Sequence, residues 1–97
     1  MNQMRRNLLK GGIVGCGRVA IVSHIPVLQA LKDVEIVAVC DQDETTAIET
    51  IRRFGIASAY GALSHMLKSE ELDFVDICSP IGVAHKFQPC LSIRLLH

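Results

Sequence analysis

Six residues near the start of this chain, Gly15-Cys-Gly-Arg-Val-Ala20, have the types and spacing to hold a diphosphate. Gly15 permits a tight turn from strand to helix. Gly17 has no side chain, so a pyrophosphate can approach the backbone and meet the N-terminus of the helix that follows. Ala20 is small enough for that helix to lie close on the strand. Arg18 is expected to point toward phosphate or solvent at the same turn, with Val19 beside it. Asp41 then stands at the end of the next apolar strand, where a carboxylate accepts from both ribose hydroxyls. The chemistry of this set is dinucleotide binding. A generic βαβ turn without a ligand is the competing reading. The context supports the ligand, with a strand before, a helix after and a second apolar strand ending in an acid.

The other chemistry-bearing residues are weaker pointers. Cys16 lies at the turn and near a helix N-terminus, a position that could lower a thiol pKa, yet a small buried residue is the preferred reading. His24 is expected to pack at the start of its helix, and His65 and His97 to lie in solvent. No Ser/His/Asp or Cys/His nucleophilic set can be argued from the spacing. Cys16, Cys40, Cys78 and Cys90 are far apart, with no C-x-x-C pair, so neither a metal nor a disulfide framework is expected. Cys16, Cys40 and Cys78 fall at the ends of strands, as small packing residues beside the cleft. No residue is assigned as catalytic or as a metal ligand.

The elements that must position these residues can be read in order. Residues 1–9 form a loose leader, and residues 10–97 a nucleotide-binding domain, incomplete at its C-terminus. The first strand is Lys10–Val14. Pro26 would cost about 3 kcal/mol in a helix interior, so the next helix is read as a single turn over Val19–His24 followed by Ile25–Leu31, with Pro26 in the first turn of the latter. Strand two is Glu35–Cys40. Asp43 caps the helix Glu44–Phe54 and Gly55 closes it, with Ala47, Ile48, Ile51 and Phe54 toward the sheet. A brief third strand at Ala57–Tyr60 precedes a helix over Ser64–Glu71, with Leu63, Met66 and Leu67 inward. Strand four is Leu72–Cys78, ended by Ser79-Pro80, and a last helix is expected over Val83–Leu96. Alternation of strands and helices implies an α/β fold, a doubly wound parallel sheet of Rossmann type with strand order 3-2-1-4.

The chain has 97 residues, room for one small domain. Lys and Arg total 10 against 10 Asp and Glu, and with no Trp and one Tyr nothing interleaves basic and aromatic residues for nucleic acid. No run is long and apolar enough for a membrane span. Met4-Arg-Arg-Asn-Leu-Leu imitates a twin-arginine export motif, but Arg18 and His24 interrupt the apolar core such a signal needs. A reduced, cytoplasmic protein is expected.

With these blocks in hand, the chain resembles the glucose–fructose oxidoreductase / inositol dehydrogenase (Gfo/Idh/MocA-type) family. The resemblance rests on Gly12-Ile-Val-Gly-Cys-Gly-Arg-Val-Ala20, His24-x-Pro26-x-Leu28, Val37-Ala-Val-Cys-Asp41, Phe54-Gly55, Tyr60-Gly61 and Asp73-Phe-Val-Asp-Ile-Cys-Ser-Pro80 followed by His85. It implies an NAD(P)-dependent oxidoreductase acting on a sugar, cyclitol or related polyol, with Ser79, Pro80 and His85 on the cofactor side of the cleft. His85 would lie on the nicotinamide side, either touching ribose or substrate or serving only as a polar helix cap. Ile81-Gly82 departs from the family pattern, and Lys86–His97 matches loosely. The family's Glu-Lys-Pro motif, with its catalytic Lys, and its second α/β domain have no counterpart in these residues.

Two functions stay open at this point. One is the cofactor-binding fragment of such an enzyme, binding NAD weakly and catalysing nothing alone. The other is a stand-alone dinucleotide-binding or interaction module without redox activity. NAD is expected over NADP, because Asp41 sets a negative charge where the 2′-phosphate would sit and Gln42 and Asp43 offer no cation. Self-association is expected through the open edge of strand four or through the last helix.

Overall fold

The computed structural model describes residues 8–17 and 20–78, and the backbone of residues 92–95. β1 (Leu9–Val14) begins one residue inside the expected leader and runs at the centre of the sheet. It pairs in parallel with β2 (Val34–Cys40) on one side and with β4 (Phe74–Ile77) on the other. β3 (Ser58–Tyr60) extends the sheet beyond β2, also in parallel. These four strands have the order 3-2-1-4 that the alternating pattern implies.

A fifth strand, β5 (Ser92–Leu95), pairs antiparallel with β4, Phe74 opposite Leu95 and Ile77 opposite Ser92, which makes the full order β3-β2-β1-β4-β5. This corrects two expectations. Residues 92–95 are a strand and not the end of a Val83–Leu96 helix, and the outer edge of β4 is hydrogen-bonded within the chain. Self-association through an open β4 edge or through such a helix therefore loses its basis. Helix propensity is a matter of tenths of a kcal/mol per residue, whereas an apolar strand with one row of backbone groups unpaired strongly rewards any segment that can satisfy them.

The helices follow their local signals closely. Pro26 has no N–H to donate to Val22, and its ring would crowd that carbonyl in a continuous α-helix. The chain widens to a π-helical turn over Ala20–His24, and α1 (Ile25–Gln29) follows with Pro26 in its first turn. In α2 (Glu44–Phe54) the Asp43 carboxylate accepts from the N–H groups of Thr45 at 3.1 Å and Thr46 at 3.4 Å. Gly55 ends that helix in the left-handed region at φ 70°, as a C′ glycine should. Asp43→Ala is expected to cost about 1 kcal/mol, seen as a thermal midpoint lower by about 4–8 °C in a chain of this size. An unchanged midpoint would remove the cap from the account of α2.

α3 (Leu63–Ser69) starts one residue earlier and stops two residues sooner than its pattern implies. Glu70 is extended, and its Oε2 accepts from the Tyr60 hydroxyl at 2.6 Å. Two inward assignments also change. Ile48 and Leu67 are each 41 % exposed, and Thr50 is buried in place of Ile48. Thr50 can be buried because its hydroxyl donates to the Thr46 carbonyl at 2.8 Å, so no polar atom is stranded.

The core lies on both faces of the sheet. Ile13, Ala20, Ile25, Val39, Ala47 and Phe74 pack on the face of α1 and α2, while Ala38, Met66, Leu72 and Val75 pack on the face of α3. Two glycines in β1 make this possible. The Phe74 ring occupies the space where a Gly11 side chain would begin. A Cβ on Gly12 would stand 2.9 Å from Met66 Cε and 3.0 Å from Leu72 Cδ1. The register of β1 on β2 shifts between these glycines, leaving Val37 as an extra residue on β2.

Candidate dinucleotide-binding cleft

The C-terminal ends of parallel strands leave a crevice where the chain direction of successive crossovers reverses, and here that point lies between β1 and β4, with the cleft opening over β1 and β2. Gly15 leaves β1 at φ 91°, a backbone setting that a side chain would strain, and its N–H donates to the Cys40 carbonyl at 2.8 Å. Gly17 is exposed, and a Cβ built on it meets nothing within 4 Å among the described residues. The backbone at this turn is thus open to a large anion. Its carbonyl accepts from Ile21 N–H at 3.1 Å, which starts the helical turn behind it. Ala20 is fully buried beneath the turn, as close helix-on-strand packing requires.

Asp41 is held from both sides. Its Oδ2 accepts from the backbone N–H of Cys16 at 2.8 Å and its Oδ1 from the backbone N–H of Asp43 at 2.9 Å. Its own N–H donates to the Tyr60 carbonyl at 3.0 Å, which fixes the strand end. Each carboxylate oxygen has more than one acceptor site, so a carboxylate anchored in this way can still accept from ribose hydroxyls. Its rotamer is set before any ligand arrives. This clamp ties the acid directly to the glycine turn.

A cleft of about 620 Å³ opens beside these groups, lined by Val14, Gly15, Cys40, Asp41, Gln42, Gly61, Ala62 and Leu63. Among these described residues there is no Lys or Arg. Gly15 and Asp41 therefore meet in one cleft with Gly17 at the adjoining turn. Gly61, Ala62 and Leu63 were not singled out by spacing. Their placement could have been read from topology, because the loop after β3 must emerge beside the end of β2 at the same sheet edge. Arg18, Val19, Ser79, Pro80 and His85 lie outside the described residues.

Cys16 is 1 % exposed, and burial pushes its thiol up to about 11, an effect partly offset by hydrogen bonding with Thr50 and reinforced by the Asp41 carboxylate and by Cys40. The helix-terminus effect that could have activated it is outweighed, and at neutral pH it is a packed thiol. Cys40 is shifted the same way, by burial first and by Asp41 second. His24 does more than pack. Its Nδ1 lies 2.6 Å from Oδ2 of Asp76, an acid that the apolar reading of strand four passed over.

Residues 9–91 match the sequence pattern of the oxidoreductase family with an NAD-binding Rossmann fold known as Gfo/Idh/MocA. The chain belongs to this family. It is 37 % identical over 70 residues to D-apiose dehydrogenase of Paraburkholderia graminis, covering 72 % of this chain and 18 % of that protein. It is 33 % identical over 86 residues to D-xylose 1-dehydrogenase (NADP(+)) 2 of Haloferax volcanii, covering 89 % of this chain and 26 % of that one. The fold superposes with a TM-score of 0.69 and 31 % identity on an oxidoreductase from Agrobacterium radiobacter in complex with NAD+, L-tartaric acid and magnesium, over 79 % of this chain and 22 % of that one. The chain thus spans about a fifth to a quarter of the proteins it resembles. Among the described residues, no helix is long and apolar enough to cross a membrane.

Proposed function

We propose that this chain is the cofactor-binding part of an NAD-dependent oxidoreductase of the sugar or cyclitol dehydrogenase type. Gly15 and Gly17 receive the pyrophosphate, Ala20 seats the helix that faces it, and Asp41 accepts from the adenosine ribose. Arg18, Val19, Ser79, Pro80 and His85 complete the cofactor shell in this reading. The family and the sugar dehydrogenases among the relatives support a sugar or polyol substrate for this reading. A cytoplasmic location suits the buried thiols of Cys16, Cys40 and Cys78.

The observation that carries the cofactor preference is the clamped carboxylate of Asp41. It presents fixed negative charge in a cleft whose described lining holds no Lys or Arg. A 2′-phosphate set against it would meet like charge in a partly shielded site, while two ribose hydroxyls would find an acceptor already oriented. When bound, the nicotinamide supplies hydride chemistry. What these residues do is hold the diphosphate against backbone N–H groups and orient the ribose. Calorimetric titration with NAD+ and NADP+ tests the reading: tighter NAD+ binding is expected, and equal or tighter NADP+ binding overturns it. The 97-residue chain assayed alone on inositol or glucose is expected to give no turnover above a no-enzyme control.

A further inference from the structure

Behind the fingerprint turn, on the α1 face of the sheet and sharing no residue with the cleft lining, three potential ligands converge. His24 stands where the π-helical turn meets α1, Asp76 lies within β4, and Cys78 follows directly after that strand. One donor atom from each, His24 Nδ1, an Asp76 carboxylate oxygen and Cys78 Sγ, lie within 4.8 Å of one another. All three side chains are largely removed from solvent, with His24 11 % exposed, Asp76 1 % and Cys78 4 %.

The carboxylate is the telling group. Asp76 Oδ2 meets His24 at 2.6 Å, but Oδ1 is buried and has no hydrogen-bond partner among the described residues. An ionised oxygen left without a donor in a protein interior is rare and expensive. Burying the acid beside hydrocarbon serves no packing purpose that Val or Ile would not serve better at that strand position. A cation reached by the carboxylate would account for both of its oxygens at once.

We propose that His24 Nδ1, the Asp76 carboxylate and Cys78 Sγ form a binding site for a zinc-class divalent cation. The donor set of imidazole, carboxylate and thiolate is that of a borderline-soft metal and not of magnesium or calcium, which take oxygen ligands alone. Charge closes as well: a dipositive ion with one carboxylate, one thiolate and one neutral imidazole leaves the buried site neutral. On binding, the Cys78 thiol proton passes to solvent and the His24 ring takes the neutral tautomer with its proton on Nε2, so that Sγ and Nδ1 both become donors to the ion. Zinc–ligand bonds of about 2.0–2.3 Å set tetrahedral donors roughly 3.3–3.8 Å apart. The His24–Asp76 contact therefore opens by under about 1 Å as the cation replaces the hydrogen bond between them. The fourth position falls to Asp76 Oδ1 or to water. The sequence spacing conceals this site because His24 and Asp76 are 52 residues apart. The ion would fasten the start of α1 to β4 and so steady the helix behind the phosphate turn.

The test is titration of the full, metal-free 97-residue chain with Co2+, read by its absorption spectrum. About one Co2+ per chain is expected, with thiolate-to-cobalt charge transfer and the intense visible bands of a tetrahedral site, both displaced by Zn2+. Cys78→Ser should abolish the charge-transfer band, and Asp76→Asn should weaken binding by at least about tenfold. Cys16→Ala, Cys40→Ala and Cys90→Ala should leave the band in place. Absence of the band in the unmodified chain, its survival in Cys78→Ser or its loss in Cys90→Ala overturns the proposal. X-ray absorption of the zinc-loaded, unmodified chain needs no variant: a single sulfur among nitrogen and oxygen neighbours is expected, and a sulfur-free or multi-sulfur shell contradicts it. These readouts do not involve dinucleotide, so their failure leaves the cofactor reading untouched.

Discussion

Asp41→Ala is expected to weaken NAD+ binding by at least roughly ten- to a hundredfold, the worth of a single hydrogen bond to a charged acceptor at about 1.5–3 kcal/mol. NADP+ should lose far less, because the same change removes the repulsion against its 2′-phosphate, and the gap between the two cofactors should narrow. Part of the loss is indirect. Asp41 also accepts from the N–H groups of Cys16 and Asp43, so alanine releases the glycine turn as well as the ribose. Asp41→Asn separates the two effects. It can still accept from Cys16 N–H but carries no charge, so it should retain part of the NAD+ affinity while losing discrimination against NADP+. Calorimetric dissociation constants for both cofactors and all three proteins check this, and an unchanged cofactor ratio in Asp41→Ala would exclude Asp41 from the ribose site.

Gly11→Val is expected to be the most damaging single change for the fold, with a loss of about 3 kcal/mol or more. The first atom of any side chain at Gly11 would overlap the Cζ end of the Phe74 ring. β1 cannot retreat, because it is hydrogen-bonded to β2 on one side and β4 on the other, with Gly11 aligned to Ile36 and to Phe74. Phe74 would have to leave a site where it is 5 % exposed. Urea unfolding of the variant should show a much lower midpoint or no cooperative transition. A midpoint near that of the unmodified chain would mean that Phe74 does not lie over Gly11. Gly17→Ala is the informative contrast, since its Cβ meets none of the described residues within 4 Å and should leave stability within about 0.5 kcal/mol.

What could be read from the residues alone divides along a physical line. Where the signal is local, the reading and the structure agree. Asp43 and Gly55 bound α2 at both ends because N-cap and C′ chemistry involve neighbours a few residues away. Pro26 betrays the break between the π-helical turn and α1 for the same reason. Gly15 at its positive φ and Asp41 at the end of β2 were legible because a glycine turn and a strand-ending acid are local signals. Most differences arise where partners are distant in sequence. β5 forms because β4, distant in sequence, offers it an edge. One difference is local: Thr50 replaces Ile48 in the core through a hydrogen bond to Thr46, four residues away, that a hydropathy pattern does not see. Asp76 stands in an apolar strand, and only the fold sets His24 against it. The bond from Cys16 N–H to Asp41 spans 25 residues and was likewise hidden, although both of its ends had been singled out.

The central claim is that dinucleotide binds where the glycine turn meets Asp41. The most direct measurement is the change in backbone amide resonances when NAD+ is added to the isotope-labelled chain. The account predicts saturable shifts centred on Gly15, Cys16, Gly17 and Asp41 and extending to Ala62 across the cleft, with Gly55 at the far end of α2 unmoved. Saturable shifts centred elsewhere, or none at millimolar NAD+, would contradict it.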